Sequence, residues 1–129
     1  MKVIAACVVS ALTATTGCSS NDAGDVSAQA VGFYQAVAEQ DGAAACARLA
    51  PETTHQLEQS AQAPCASAVL DEDIPEMGDL QSVDRFGNQA QVRFRGDVAF
   101  LAEFPGGWKV VAVSCTPREP LPYDCQVKG

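Results

Sequence analysis

Apolar residues recur at helical spacing through the first half of this chain and at every second position through much of the second half. Ala30, Val31, Tyr34, Val37 and Ala38 form one stripe, widened by Phe33. That stripe predicts a helix from Val26 to Gln40, with Asp25 as its cap and Gly42 beyond its end. A short second helix, Ala43 to Leu49, must stop ahead of Pro51, because the residue before a proline avoids the helical region. Pro51 suits the first turn of a third helix ending near Ala61, where Leu57 is the one large apolar residue. Pro64 opens a fourth, with Cys65, Ala68 and Val69 on its inner side. After Pro75 and Gly78 the period shortens. Val83 alternates with polar neighbours as far as Phe86, Gly87-Asn88 marks a turn, and Ala90, Val92 and Phe94 then alternate with Gln91, Arg93 and Arg95. Two such runs around a short glycine-containing loop predict a hairpin. Gly96-Asp97 turns the chain again, Val98 to Phe104 forms a third strand, and Trp108 to Cys115 a fourth. In that fourth run, Val110-Val111-Ala112-Val113 lacks alternation, as expected of a strand covered on both faces. The tail beyond Thr116 carries Pro117, Pro120 and Pro122, which keeps it out of a sheet's centre.

Helices followed by strands imply an α+β fold, with helices packed on one face of a curved antiparallel sheet. The order of a long amphipathic helix, short helices and a meander resembles the nuclear transport factor two-like (cystatin-like cone) superfamily. Gly106-Gly107-Trp108-Lys109-Val110 is similar to that superfamily's G-x-W-K-V strand start, and the resemblance covers about residues 26–115. It implies a cone-shaped cavity between the first helix and the sheet, for which Tyr34, Phe33, Phe94, Phe100 and Trp108 are the candidate lining residues. It implies no particular activity, since the fold hosts isomerases, cyclases, dehydratases and non-catalytic members.

The first twenty residues, MKVIAACVVSALTATTGCSS, have a different character. Lys2, an apolar run from Val3 to Leu12, small residues and Gly17-Cys18 have the order of a secretory signal. The run is about half the ~20 apolar residues a membrane-spanning helix needs. Thr15-Thr16-Gly17-Cys18 resembles the lipobox of bacterial lipoproteins, with Thr15 where a Leu is usual. The whole chain looks like small actinobacterial lipoproteins of unknown function. The expected organisation is a signal peptide over residues 1–17, a lipidated Cys18 with a polar tether over residues 18–25, and a single domain over residues 26–129. Localisation follows as the extracytoplasmic face of the cell membrane, with the lipid as anchor; the alternatives are an ordinary signal peptide cut near Gly17 and an amphipathic first helix of a cytosolic protein. A cysteine carrying two or more acyl chains anchors stably, whereas one chain holds only reversibly.

Cysteine usage points the same way. Of Cys7, Cys18, Cys46, Cys65, Cys115 and Cys125, cleavage removes the first and lipidation occupies the second. Four remain, an even number, in a compartment where disulfides persist. Four cysteines allow three connectivities; neighbourhood favours Cys46 with Cys65 and Cys115 with Cys125. No pair has zinc-ligand spacing, and no metal or cofactor is expected. The net charge is −8, and its distribution is lopsided: residues 22–79 hold eleven acids against Arg48 alone, residues 80–129 five acids against six bases. Nucleic acid is a poor partner for such a chain, because phosphate contact needs a basic footprint.

Candidate chemistry is sparse. His55, the one histidine, sits on the exposed third helix without a recognisable nucleophile or orienting partner. Tyr34 lies on the inner stripe, where its phenol would be either a donor into the cavity or a core group bonded at the rim. Asp84 and Asp97 are the carboxylates that would accompany it. Asp97 falls in a turn that favours aspartate for backbone reasons, and Asp84 faces away from the core if Val83 faces it. The acids Asp71, Glu72, Asp73, Glu76 and Asp79 lack the alternating ligand order of a calcium loop. Arg93 and Arg95 share one strand face, as an anion clamp or as a solvent-facing edge. The leading expectation is a non-catalytic, membrane-tethered domain that binds an envelope protein or a small ligand. The alternatives are a small isomerase- or cyclase-like enzyme using Tyr34 with a carboxylate, and an accessory subunit recognised through its sheet.

Overall fold

The computed structural model describes residues 22–129, so the expected signal peptide, Cys18 and the first part of the tether lie outside the described residues. Four helices precede five strands: α1 Asp22–Ala38, α2 Gly42–Ala47, α3 Pro51–Ala61, α4 Cys65–Asp71, β1 Leu80–Phe86, β2 Gln89–Phe94, β3 Asp97–Phe104, β4 Gly107–Arg118 and β5 Leu121–Lys128. The fold is α+β. The strands lie in sequence order in one antiparallel sheet, an open meander with β1 and β5 at its edges.

Two expectations about α1 are corrected. Residues 22–25 belong to the helix rather than to a tether, so Asp25 is inside it and not its cap. The helix also stops at Ala38, because Gln40 takes a left-handed conformation (φ 59°) and Gly42 begins α2 instead of closing α1. Asp41 caps α2 by accepting the amide of Ala44 at 3.0 Å, which satisfies one of the helix's orphan donors. Gly42 is required there for another reason: a Cβ would lie 1.8 Å from the Ala66 carbonyl, since α2 and α4 meet backbone to backbone. The Cys46–Cys65 disulfide ties those two helices together.

The main core fills the space between the helices and one sheet face. It joins Val26, Ala30, Phe33 and Tyr34 of α1, Leu57 of α3 and Val69 of α4 to Val92, Phe94, Leu101, Trp108, Val110, Val113 and Val127 of the sheet. The buried stripe of α1 thus centres on Phe33 and Tyr34, and Ala38 is exposed. Thr53, wholly buried, donates its Oγ1 to the Val111 carbonyl at 2.8 Å and docks α3 onto β4. A short parallel bridge, Leu49 to Val110, closes the other end of this contact.

On the opposite face lies a second, smaller cluster. Ala112 and the Cys115–Cys125 disulfide form it, with Val98, Phe100 and Tyr123 packed alongside. Both faces of the Val110–Val113 run are therefore covered. The register shift between Phe100 and Leu101 marks the place where β4 accommodates an extra residue, the usual device for re-aiming a strand's side chains.

The tail forms a fifth strand, β5, and lies at the sheet's edge rather than its centre, as its prolines require. Its prolines are tolerated because of where they fall. Pro117 coincides with a register shift between Thr116 and Arg118, Pro120 lies in the turn after a cis Glu119–Pro120 bond, and Pro122 is on an edge strand. None of these positions demands a central ladder bond.

Candidate functional site

One polar cluster is built into the core, and Asp97 is its centre. Arg95 and Gly96, with Gly96 at φ 93°, turn the chain tightly between β2 and β3. Asp97 is the first residue of β3 and shares a face with Ala99 and Leu101, so the pleat directs its carboxylate inward. It is only 6% exposed. Three donors converge on it. The Tyr34 phenol donates to Oδ2 at 2.5 Å, the Ser114 amide to Oδ2 at 3.0 Å, and the Cys115 amide to Oδ1 at 2.8 Å.

Local geometry in β4 supplies the two amides. Ser114 has φ 57°, a left-handed residue in the middle of a strand. Such backbone is unfavourable for a non-glycine residue. Here the Asp97 carboxylate compensates by accepting the two N–H groups at the irregularity. The Ser114 hydroxyl donates in turn to the Asp73 carbonyl at 2.7 Å, holding residues 73–79, which have no regular structure, against the sheet.

Tyr34 reaches the carboxylate from α1. Its ring is held edge-on between Phe33, with centroids 5.7 Å apart, and Phe94, at 5.1 Å. Burial, the hydrogen bond to Asp97 and the negative charge of that carboxylate all push the phenol's pKa far up. Tyr34 is thus a fixed neutral donor and not a phenolate. Chemically the cluster is a brace between α1, β3 and β4, with both carboxylate oxygens engaged by the protein itself.

Replacing Tyr34 by Phe is expected to cost about 1–3 kcal/mol, read from the urea midpoint at neutral pH, since one charge-assisted hydrogen bond is lost. The phenol also predicts a pH dependence. An unfolded phenol ionises near pH 10, while the folded one holds its proton higher. The native state then binds more protons, and stability falls as the pH rises through and beyond about 10. Between pH 8 and 11 the wild type should lose more stability than Tyr34→Phe; parallel curves would show that Tyr34 does not retain its proton.

The other candidate residues scatter. Phe33, Phe94 and Trp108 are packed into the main core, with Arg85 stacked 5.5 Å from the Trp108 ring centroid. Phe100 is corrected: it stands on the opposite sheet face and so does not share a chamber with the other four. Asp84, opposite Gln91, is exposed. His55 is exposed beside Glu52 at 4.0 Å. Arg93 and Arg95 are exposed, with Arg95 3.8 Å from Asp79.

Shallow depressions lie near these residues. One, of about 250 Å³, has Tyr34 in its wall with Val37, Gln40, Ile74, Pro75 and Glu76. Another, of about 240 Å³, opens on the outer sheet face among Phe86, Gln89, Gln91, Phe100 and Val111. In the latter the Gln91 side-chain amide nitrogen is buried without a hydrogen-bond partner among the described residues.

The turn reading of Asp97 is corrected by its burial, for which the sequence does carry one signal. Counting back by twos from Leu101 through Ala99 places Asp97 on the buried face. Nothing comparable marks Ser114, whose left-handed backbone is visible only in three dimensions.

No family model, curated protein or solved structure matches this chain.

Proposed function

We propose that this protein is a membrane-tethered extracytoplasmic lipoprotein domain that binds an envelope protein or a small ligand and performs no catalysis itself. The observation that carries the non-catalytic reading is the occupancy of Asp97. Its oxygens accept the Tyr34 phenol and two backbone amides, which makes the phenol part of that brace. A general base must lie within reach of the proton it removes, and this carboxylate is buried with three protein donors already on its two oxygens. The two disulfides support the extracytoplasmic reading, because such bonds persist in oxidising compartments. On this reading α1, lying against β1 to β4, and the sheet form the cone-like build that the sequence resemblance implies, its interior filled by Phe33, Phe94 and Trp108.

The enzyme reading stands second. It rests on the pairing of Tyr34 with a carboxylate beside a depression that Tyr34 helps to line.

Fractionation of cells carrying the full chain tests the anchor. Wild type should sediment with membranes and incorporate a labelled fatty acid, and Cys18→Ser should lose both. Unchanged fractionation of Cys18→Ser would remove the lipid anchor from this reading.

A further inference from the structure

We infer that the cleft between the end of α1 and residues 74–77 holds an extended segment of a protein partner that presents one lysine or arginine between apolar side chains, which rests on the reading that this domain binds an envelope protein. Two depressions of about 250 Å³ each adjoin there. Ile74 and Pro75 line the first and Met77 the second, while Tyr34, Ala38 and Glu76 line both. An acid thus stands on the divide between two hollows that have apolar side chains in their walls. The wall formed by residues 74–77 is held at both ends. The Ser114 hydroxyl pins Asp73 by donating to its carbonyl at 2.7 Å, and the Arg95 amide pins Asp79 by donating to its carbonyl at 2.9 Å. Gly78 lies so close to the Arg95 carbonyl that an added Cβ would be 2.2 Å from it. A site whose shape exists beforehand loses little ordering entropy on binding.

Charge and backbone together define the occupant. No base lines either hollow. Glu76 is exposed and has no ion pair among the described residues, and Arg95, near the segment's far end, lies 3.8 Å from Asp79 instead. Residues 22–79, which supply the whole lining, hold eleven acids against Arg48, and the Arg48 guanidinium donates to Gln29 at 3.1 Å. Such a surface repels an anion and draws in a cation. A quaternary ammonium would call for an aromatic cage, whereas the aromatic residue here, Tyr34, is 3% exposed. The backbone points to a polypeptide. Between the two pins, the Glu76 and Met77 amides make no hydrogen bond among the described residues. Extended segments are recognised by main-chain hydrogen bonds together with hollows for alternate side chains. Alternate side chains of an extended guest share one face, so an apolar, a basic and an apolar residue at every second position match hollow, acid and hollow.

Amide chemical shifts of the isotopically labelled full chain, in a neutral detergent, test the inference. The peptide acetyl-Leu-Ser-Lys-Ser-Leu-amide should move the signals of Ala38, Glu76 and Met77 saturably. The same peptide with glutamate in place of lysine should bind about tenfold more weakly, because attraction becomes repulsion. Glu76→Gln should weaken the lysine peptide about two- to fivefold, the range of an exposed ion pair. Glu76 is exposed and unpaired, so this variant keeps the fold, and a spectrum unchanged outside the cleft verifies it. Glu52→Gln, on α3, should bind like the wild type. No shift at the cleft, undiminished binding by Glu76→Gln, or an equal loss in Glu52→Gln would each overturn the inference. Butylammonium moving the same signals at the same concentration would also overturn it, by making the cleft a site for small cations. Fractionation of Cys18→Ser does not depend on the cleft, so the anchor and this site stand or fall separately.

Discussion

Replacing Asp97 by Ala should destabilise this protein more than any other single surface or core polar change, by about 3–5 kcal/mol. The size follows from what is stranded. Tyr34 loses its acceptor, and the Ser114 and Cys115 amides lose theirs, within a largely buried site. A buried donor left unsatisfied costs about 1–3 kcal/mol, and bonds to a charged acceptor are the stronger kind. A domain of this size has only about 5–15 kcal/mol in total. Asp97→Asn keeps the shape and one acceptor oxygen, so it should fall between the wild type and Asp97→Ala. Urea unfolding followed by circular dichroism orders the three. A loss below about 1 kcal/mol for Asp97→Ala would mean that water or a rearranged β4 satisfies those donors.

The second large effect is expected on removing Cys46–Cys65 by a double change to alanine. The bond spans 19 residues and fastens α2 to α4. Closing a loop of that length is worth about 3 kcal/mol in the chain-entropy model. The two helices have only six and seven residues, and helices so short are marginal without tertiary restraint. The loss should therefore appear first as hydrogen exchange in residues 42–71, ahead of global unfolding in urea. Protection in that segment matching the wild type would show that packing, including the Gly42 contact with Ala66, already holds the pair.

The periodicities carried most of the architecture. Four helices and the first four strands lie about where apolar spacing, Pro51 and Pro64 put them, because a buried face and a helix start each leave a local mark in the sequence. Both disulfides also join cysteines of the same neighbourhood. β5 was hidden because proline weighs against a strand by its missing N–H, and that argument has no force on an outer edge or at an irregular pairing. Phe100 was misplaced by grouping aromatic residues together, whereas its parity with Leu101 sends it to the other face. The Tyr34–Asp97 brace was half legible. Tyr34 lay on the inner stripe, but its partner is 63 residues away, and no local pattern encodes a contact between a helix and the start of a distant strand.

That separation in sequence has a consequence for how the polypeptide is born. Each strand pairs with its immediate successor, so the meander can zip up hairpin by hairpin as it emerges. The opening helix cannot settle in this stepwise manner. It precedes the sheet, with Phe33 and Tyr34 unsheltered, and its phenol must wait until Asp97 has been delivered before it finds its acceptor. During that interval the apolar side chains of the amino-terminal half wait without the sheet that later covers them.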